Sequence, residues 1–171
     1  MNLFYLHSDP RLAAEAHLDK HCVKMILETA QLLSTAHRVI NPERIPHYDS
    51  VGLYKTTHKN HPSAVWVRSG VDQYRWAHDL LYYLLQEYHY RYGKIHATDR
   101  LRPHLLDAPP DIDWEAPWTD PPQCMPDDVK VPDNTVEAYK RYYAKYKKDM
   151  ARWTIRPEPE WWNAYVQEFH S

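Results

Sequence analysis

An all-α fold is the expectation for this chain of 171 residues, and three observations carry it. Residues 10–39 and 62–92 each repeat apolar side chains at helical spacing over about eight turns. Each stretch is bracketed by helix-starting and helix-stopping residues, Asp9-Pro10 and Asn41-Pro42 in one case, Asn60-His61-Pro62 and Gly93 in the other. A third amphipathic run, residues 134–151, opens with Asn134 and Glu137 at capping-box spacing. The length suits one domain over residues 1–171 with a real core. The expected architecture is two long central helices plus a third, basic helix, with a long loop rich in Pro and Asp.

Residues 2–7 alternate loosely and read as a short strand or an extended lead-in. Ser8 or Asp9 can then cap the first helix, and Pro10 suits its first position because its missing N–H would be unpaired there anyway. Along this helix His17, Lys20, His21, Lys24, Glu28, Gln31 and Thr35 fall within about a third of the circumference. The remaining arc is almost wholly apolar, which marks a central helix. Its polar stripe faces solvent or a cavity, and two imidazoles, two ammoniums and a carboxylate on one wall suit an anionic ligand.

Residues 41–61 read as a long connection. Its end places Lys55, His58, Lys59, Asn60 and His61 before Pro62, with Asn60 as the expected cap. The free N–H groups and partial positive charge of a helix start favour phosphate or carboxylate, although a capped surface loop would have the same composition. The second helix ends at Gly93, in keeping with the preference for glycine just past a helix C-terminus, and Gly70 within it marks a kink or a close packing point. Glu87 and Arg91 interrupt its apolar face at i,i+4, able to orient a substrate or simply to satisfy each other. Lys94 and His96 add cations beside them.

From 105 to 132 the chain is Pro- and Asp-rich and reads as an ordered lid or a wrapping loop. Nine acidic residues between Asp107 and Glu137 face only Lys130, so a nucleic-acid backbone is not expected along it. The third helix interleaves Lys140, Arg141, Lys145, Lys147 and Lys148 with Tyr139, Tyr142, Tyr143 and Tyr146. That pattern can hold phosphates and stack bases, and an ordinary solvated basic face produces it too. Trp161 and Trp162 anchor a short final helix within 157–169.

A net charge of −2 removes the global basic signature of a duplex-DNA binder. Two cysteines, Cys22 and Cys124, far apart in sequence, indicate no disulfide framework. The start carries no signal-peptide pattern, and no run approaches the roughly 18 apolar residues of a membrane span. A cytoplasmic protein without membrane partners is expected. Eleven of the 12 histidines lie in residues 1–104, so the chemistry is expected in that half.

In the order of its motifs the chain resembles the phage-type pyrimidine-dimer DNA glycosylase family, also called endonuclease V-like. The resemblance rests on Asp9-Pro10 leading into His17-Leu18, on Asn60-His61-Pro62 followed by Trp66, and on Glu87 to His96 with its Tyr92-Gly93 turn, and it covers residues 2–98. It implies an all-helical glycosylase and lyase acting in DNA repair in the cytoplasm of a phage's host. In that family an N-terminal amine attacks the sugar carbon, a glutamate on the first long helix assists, and the resulting imine permits backbone cleavage. Two positions depart from the pattern. Residue 2 is Asn, bulky enough for Met1 to be retained, and the family's glutamate and preceding arginine fall on Lys24 and Val23.

The expectation is therefore an N-glycosidic enzyme acting on a nucleic acid or small nucleotide without a cofactor. Glu28, Lys24, His21 and His17 are its candidate catalytic residues, with Glu28 replacing the missing acid and Lys24 an alternative imine-forming amine. Lys20, Thr35, His58, Asn60, His61, Glu87, Arg91, Lys94 and His96 are candidates for binding substrate and phosphate. A pocket enzyme or a non-catalytic binder for a free or cyclic nucleotide is the alternative. A metal-dependent hydrolase built on His17, His21, Glu28, His58 and His61 ranks lower, because the intervening lysines oppose a cation.

Overall fold

The computed structural model describes residues 2–171. It is all-helical, with eight α-helices, a few short 3-10 turns and no strand among the described residues. No described helix is long and apolar enough to cross a membrane.

Residues 2–7 are extended but join no ladder, and Leu3 and Leu6 are buried in the core. The expected first helix is two helices, α1 (Pro10–Ala16) and α2 (Asp19–Ile40). Asp9 caps α1 by accepting from the Arg11 N–H. The chain then turns extended at His17 and Leu18. Arg91 holds this break open by donating to the carbonyls of His17 at 2.7 Å and Glu15 at 2.9 Å. Those carbonyls are among the acceptors a helix end leaves unpaired.

The connection 41–61 contains a further helix, α3 (Ile45–Val51), closed by Gly52 at φ 80°. In that left-handed region glycine alone is free of strain. Arg38, buried near the end of α2, fixes the chain just beyond α3 through the carbonyls of Tyr54 at 2.8 Å and Leu53 at 2.9 Å, and α3 itself through Asp49.

The expected second helix also divides, into α4 (Pro62–Val67) and α5 (Val71–Tyr92). Gly70 lies between them because the chain passes close there. A Cβ on it would stand 2.7 Å from the Ala116 Cβ. Residues 106–134 wrap this junction, with Asp113, Pro117 and Thr119 accepting through their carbonyls from the Val71 N–H, Gln73 and the Trp66 indole. Of the two forms expected, an ordered lid or a wrapping loop, these contacts are those of a wrapping loop. After α6 (Arg102–Leu105) and this wrap come α7 (Thr135–Tyr146), capped by Asn134, and α8 (Trp162–His170).

Helices α2 and α5 pack along each other, α1 packs on α5, α4 on α2, and α8 on α7. Ile26, Leu32, Leu33, Leu80, Leu81 and Leu84 meet with Tyr74, Tyr139 and Tyr143 in one contiguous apolar cluster.

Candidate active site

The stripe on the first long helix does not survive intact, because the break rotates its start away. His17 is 0% exposed, at the end of α1. Its Nδ1–H donates to the Ala13 carbonyl at 2.6 Å, since a carbonyl can only accept. Burial lowers its pKa to about 4, against the Ala13 bond, so the ring is neutral and its Nε2 is a bare acceptor. His21 is buried as well, with Nδ1 2.8 Å from the Tyr143 hydroxyl and its ring 4.2 Å from that of Phe4. Burial, then the charges of His17, Lys147 and Lys24, push its pKa down to about 3. Both are core imidazoles bound to protein partners. The i,i+4 pair that the lower-ranked metal reading would need is not formed, and no described cluster of His, Cys, Asp and Glu could hold a metal ion.

The rest of the stripe stays together on α2. Lys20 is exposed, and Lys24 is solvated, with its Nζ 3.8 Å from a Glu28 oxygen. The Glu28 side chain is only 14% exposed. Thr35, one turn beyond the half-buried Gln31, is fully buried and its hydroxyl accepts from the Thr57 N–H at 3.2 Å. That bond lays the segment before α4 against the same face of α2.

On this segment His58 adopts φ 49°, a left-handed conformation unusual for a residue with a side chain. Its Nδ1 is paired with the Thr57 hydroxyl at 2.8 Å, while Asn60 is exposed. His61 rather than Asn60 caps α4, its Nδ1 accepting from the Ser63 N–H at 3.1 Å. In the neutral ring the proton must then sit on Nε2, leaving a donor for a ligand. Burial lowers the pKa of His61 first, followed by the positive charges of the chain's N-terminal amine and of His58, and Glu28 opposes them. Glu28, paired with Lys24, therefore also acts electrostatically on His61.

Met1 lies outside the described residues, but Asn2 is firmly held. Its side chain donates to the Cys124 carbonyl at 3.0 Å and accepts from Tyr139 at 2.8 Å. Cys124 in turn lies 3.7 Å from the Ser63 hydroxyl, beside the cap made by His61. Asn2, Thr57, Cys124 and Tyr139 are thus part of the surroundings, and sequence spacing gave no sign of the first three there. Val23 and Leu27 form an exposed apolar rim along the same helix.

The remaining candidates lie elsewhere. Glu87 and Arg91 are buried and bonded at 2.8 Å, Arg156 also holds Glu87, and Arg91 is otherwise taken up by the α1–α2 break. Their placement is that of an internal brace. Lys94 is exposed beyond the end of α5. His96 lines a separate open groove of about 490 Å³ with Tyr82, His89 and Arg102.

No protein-family model, curated protein or solved structure matches the chain.

Proposed function

We propose that the protein cleaves an N-glycosidic bond of a nucleic-acid base or nucleotide, with Glu28 as the acid/base group. The observation that carries this reading is the sheltered Glu28 carboxylate beside Lys24, which also acts on His61 at the start of α4. A primary α-amine has an ordinary pKa of about 8 and so offers a neutral nucleophilic fraction at neutral pH. Lys24 is solvated, without the dry surroundings that activate a lysine amine, and is assigned to substrate phosphate together with Lys20, His58, Asn60 and His61.

In this scheme the amine nitrogen attacks the sugar carbon as its bond to the base breaks, and the departing base takes up a proton. Glu28 first stabilises the positive charge on the sugar, takes the proton that the attached amine sheds and delivers it to the ring oxygen as the sugar opens to the imine, while the base draws its proton from water. Thr35 positions the 57–61 segment. The reading takes residues 1–171 as one domain, which the contiguous core supports, acting in the cytoplasm. A free or cyclic nucleotide, turned over or merely held, is the second reading, favoured by the net charge of −2 and the acidic wrap.

The test is incubation of the protein with ultraviolet-damaged duplex, and separately with free and cyclic nucleotides, under borohydride and read by mass spectrometry. An adduct on the N-terminal peptide is expected, and Glu28→Gln should lower its rate by a factor of about 100 or more. An adduct on the peptide containing Lys24 would reassign the nucleophile. Unchanged turnover in Glu28→Gln would remove the proposal, and retention of an unaltered nucleotide would make the protein a binder.

A further inference from the structure

The outer side of α2 carries two bands. Taken at about 100° per residue, the order around the helix runs from His21 on the core side through Lys24 and Lys20 to Leu27 and Val23. Lys20 and Lys24 reach solvent, and beyond them Leu27 and Val23 are 40% and 36% exposed. A strip of ammonium groups therefore runs beside an apolar shelf, and Glu28 follows Lys24 one turn along.

The end of α7 widens the cationic strip. His21 Nδ1 lies 2.8 Å from the Tyr143 hydroxyl of α7, and the Asp19 N–H at the start of α2 donates to the Arg152 carbonyl at 2.8 Å. Phe4 lies on His21 and stacks with Tyr142, over whose ring the Lys147 ammonium sits at 5.1 Å. The charges of Lys147 and Lys24 both bear on His21. Among the described residues no carboxylate is ion-paired with Lys20 or Lys147, whereas on the outer face of α7 Lys145 is taken by Asp128 and Arg141 by Glu168.

This pattern selects its partner. A single nucleic-acid strand carries phosphates along one side and flat, largely apolar base faces along the other. Lys20 and Lys24 stand one turn, about 6 Å, apart along α2, comparable to successive phosphates of an extended strand. A duplex keeps its base faces inside, so it has nothing to lay on Leu27 and Val23. Its second row of phosphates would also need cations flanking the strip, and those on α7 are already neutralised by Asp128 and Glu168.

We infer that this face binds a single nucleic-acid strand, its phosphates on Lys20, Lys24 and Lys147 and its unpaired bases against Leu27 and Val23, and leads it to Glu28. What the strand meets there rests on the reading of Glu28 given above, but the binding does not.

Fluorescence anisotropy of the full-length protein tests this with labelled oligothymidylate and oligouridylate of about eight nucleotides, a blunt duplex, and dTMP as competitor. The single strands should bind more tightly than the duplex or dTMP, and the tighter of the two identifies the sugar. The logarithm of affinity should fall against that of salt with a slope of about −2, three phosphates at about 0.7 each. Lys20→Ala and Lys147→Ala should each reduce that slope by about 0.7 and weaken binding about fivefold at about 0.1 M salt. Leu27→Ser should weaken binding at unchanged slope, and Lys145→Ala should alter neither. Duplex or dTMP bound as tightly as the strands, or a slope unchanged in both lysine variants, would overturn the inference. Strand binding of the expected kind with no base released would support this surface and count against the reading at Glu28. Base release from dTMP without strand binding would do the reverse.

Discussion

Tyr48 is buried with a hydroxyl that bonds to nothing in the free protein. An unpaired buried polar group costs about 1–3 kcal/mol, so Tyr48→Phe should stabilise the protein by about 1 kcal/mol, a rise of about 2–4 °C in Tm at this size. A fall in Tm, by scanning calorimetry, would mean that the hydroxyl has a partner in solution. The sequence does not disclose this residue, because an unpaired atom is a property of surroundings that spacing does not encode. Glu28 and Lys24 were legible because i,i+4 spacing on one helix is a local fact. His61 was legible as a histidine at a helix start, although Asn60 was expected to cap. Asn2, Thr57 and Cys124 were not, since contacts such as Asn2 to Cys124 span 122 residues. His17 and His21 are the converse case. They share a stripe only if the helix is continuous, and a guanidinium 74 residues away ends it.

At the level of elements, the all-helical class and the end of α5 at Gly93 follow from periodicity and punctuation, and the Asn134 cap follows from its spacing to Glu137. The α1–α2 break carries no glycine or proline, and apolar periodicity runs straight through it, so one helix was expected over 10–39. Gly70 did signal the α4–α5 break. Helix α3 was missed because two turns make too short a pattern among prolines, and α7 stops at Tyr146, short of the expected 151. Beyond it, Arg152, Trp153 and Thr154 bond to Asp19 and Ala16, and Arg156 to Glu87, strapping the α1–α2 junction. Arg91 is the centre of that junction. Arg91→Met should cost about 3–5 kcal/mol, because it strips the Glu15 and His17 carbonyls and leaves Glu87 to Arg156 alone. Urea unfolding measures this. A variant with unchanged stability but weakened substrate binding would return Arg91 to the role the sequence first offered, that of a substrate contact.

Across the whole molecule, three buried imidazoles tie stability to pH. His17, His21 and His37 have pKa values lowered from 6.5 to about 4, 3 and 4, each chiefly by burial. In the unfolded chain they take up protons below about 6.5, while the folded protein holds them neutral. The unfolded state then binds more protons, so stability is complete above about 6.5 and is lost as pH falls towards the folded values. Each ring contributes a slope of about 1.4 kcal/mol per pH unit across that window, and the three together roughly 4. A domain rarely has more than about 5–15 kcal/mol in hand, so unfolding is expected between about pH 5 and 4. The carboxylates of Asp49 and Asp128, lowered by hydrogen bonds from Lys55 and Lys145, push the same way at lower pH. Urea midpoints from pH 7.5 to 4.5 should fall steeply below about 6. His21→Gln, which retains a partner for Tyr143 and cannot titrate, should remove about a third of that slope. Midpoints that stay level from pH 7 to 5 would show that these rings reach solvent in the folded protein, and the core drawn around Phe4, His21 and Tyr143 would have to open there.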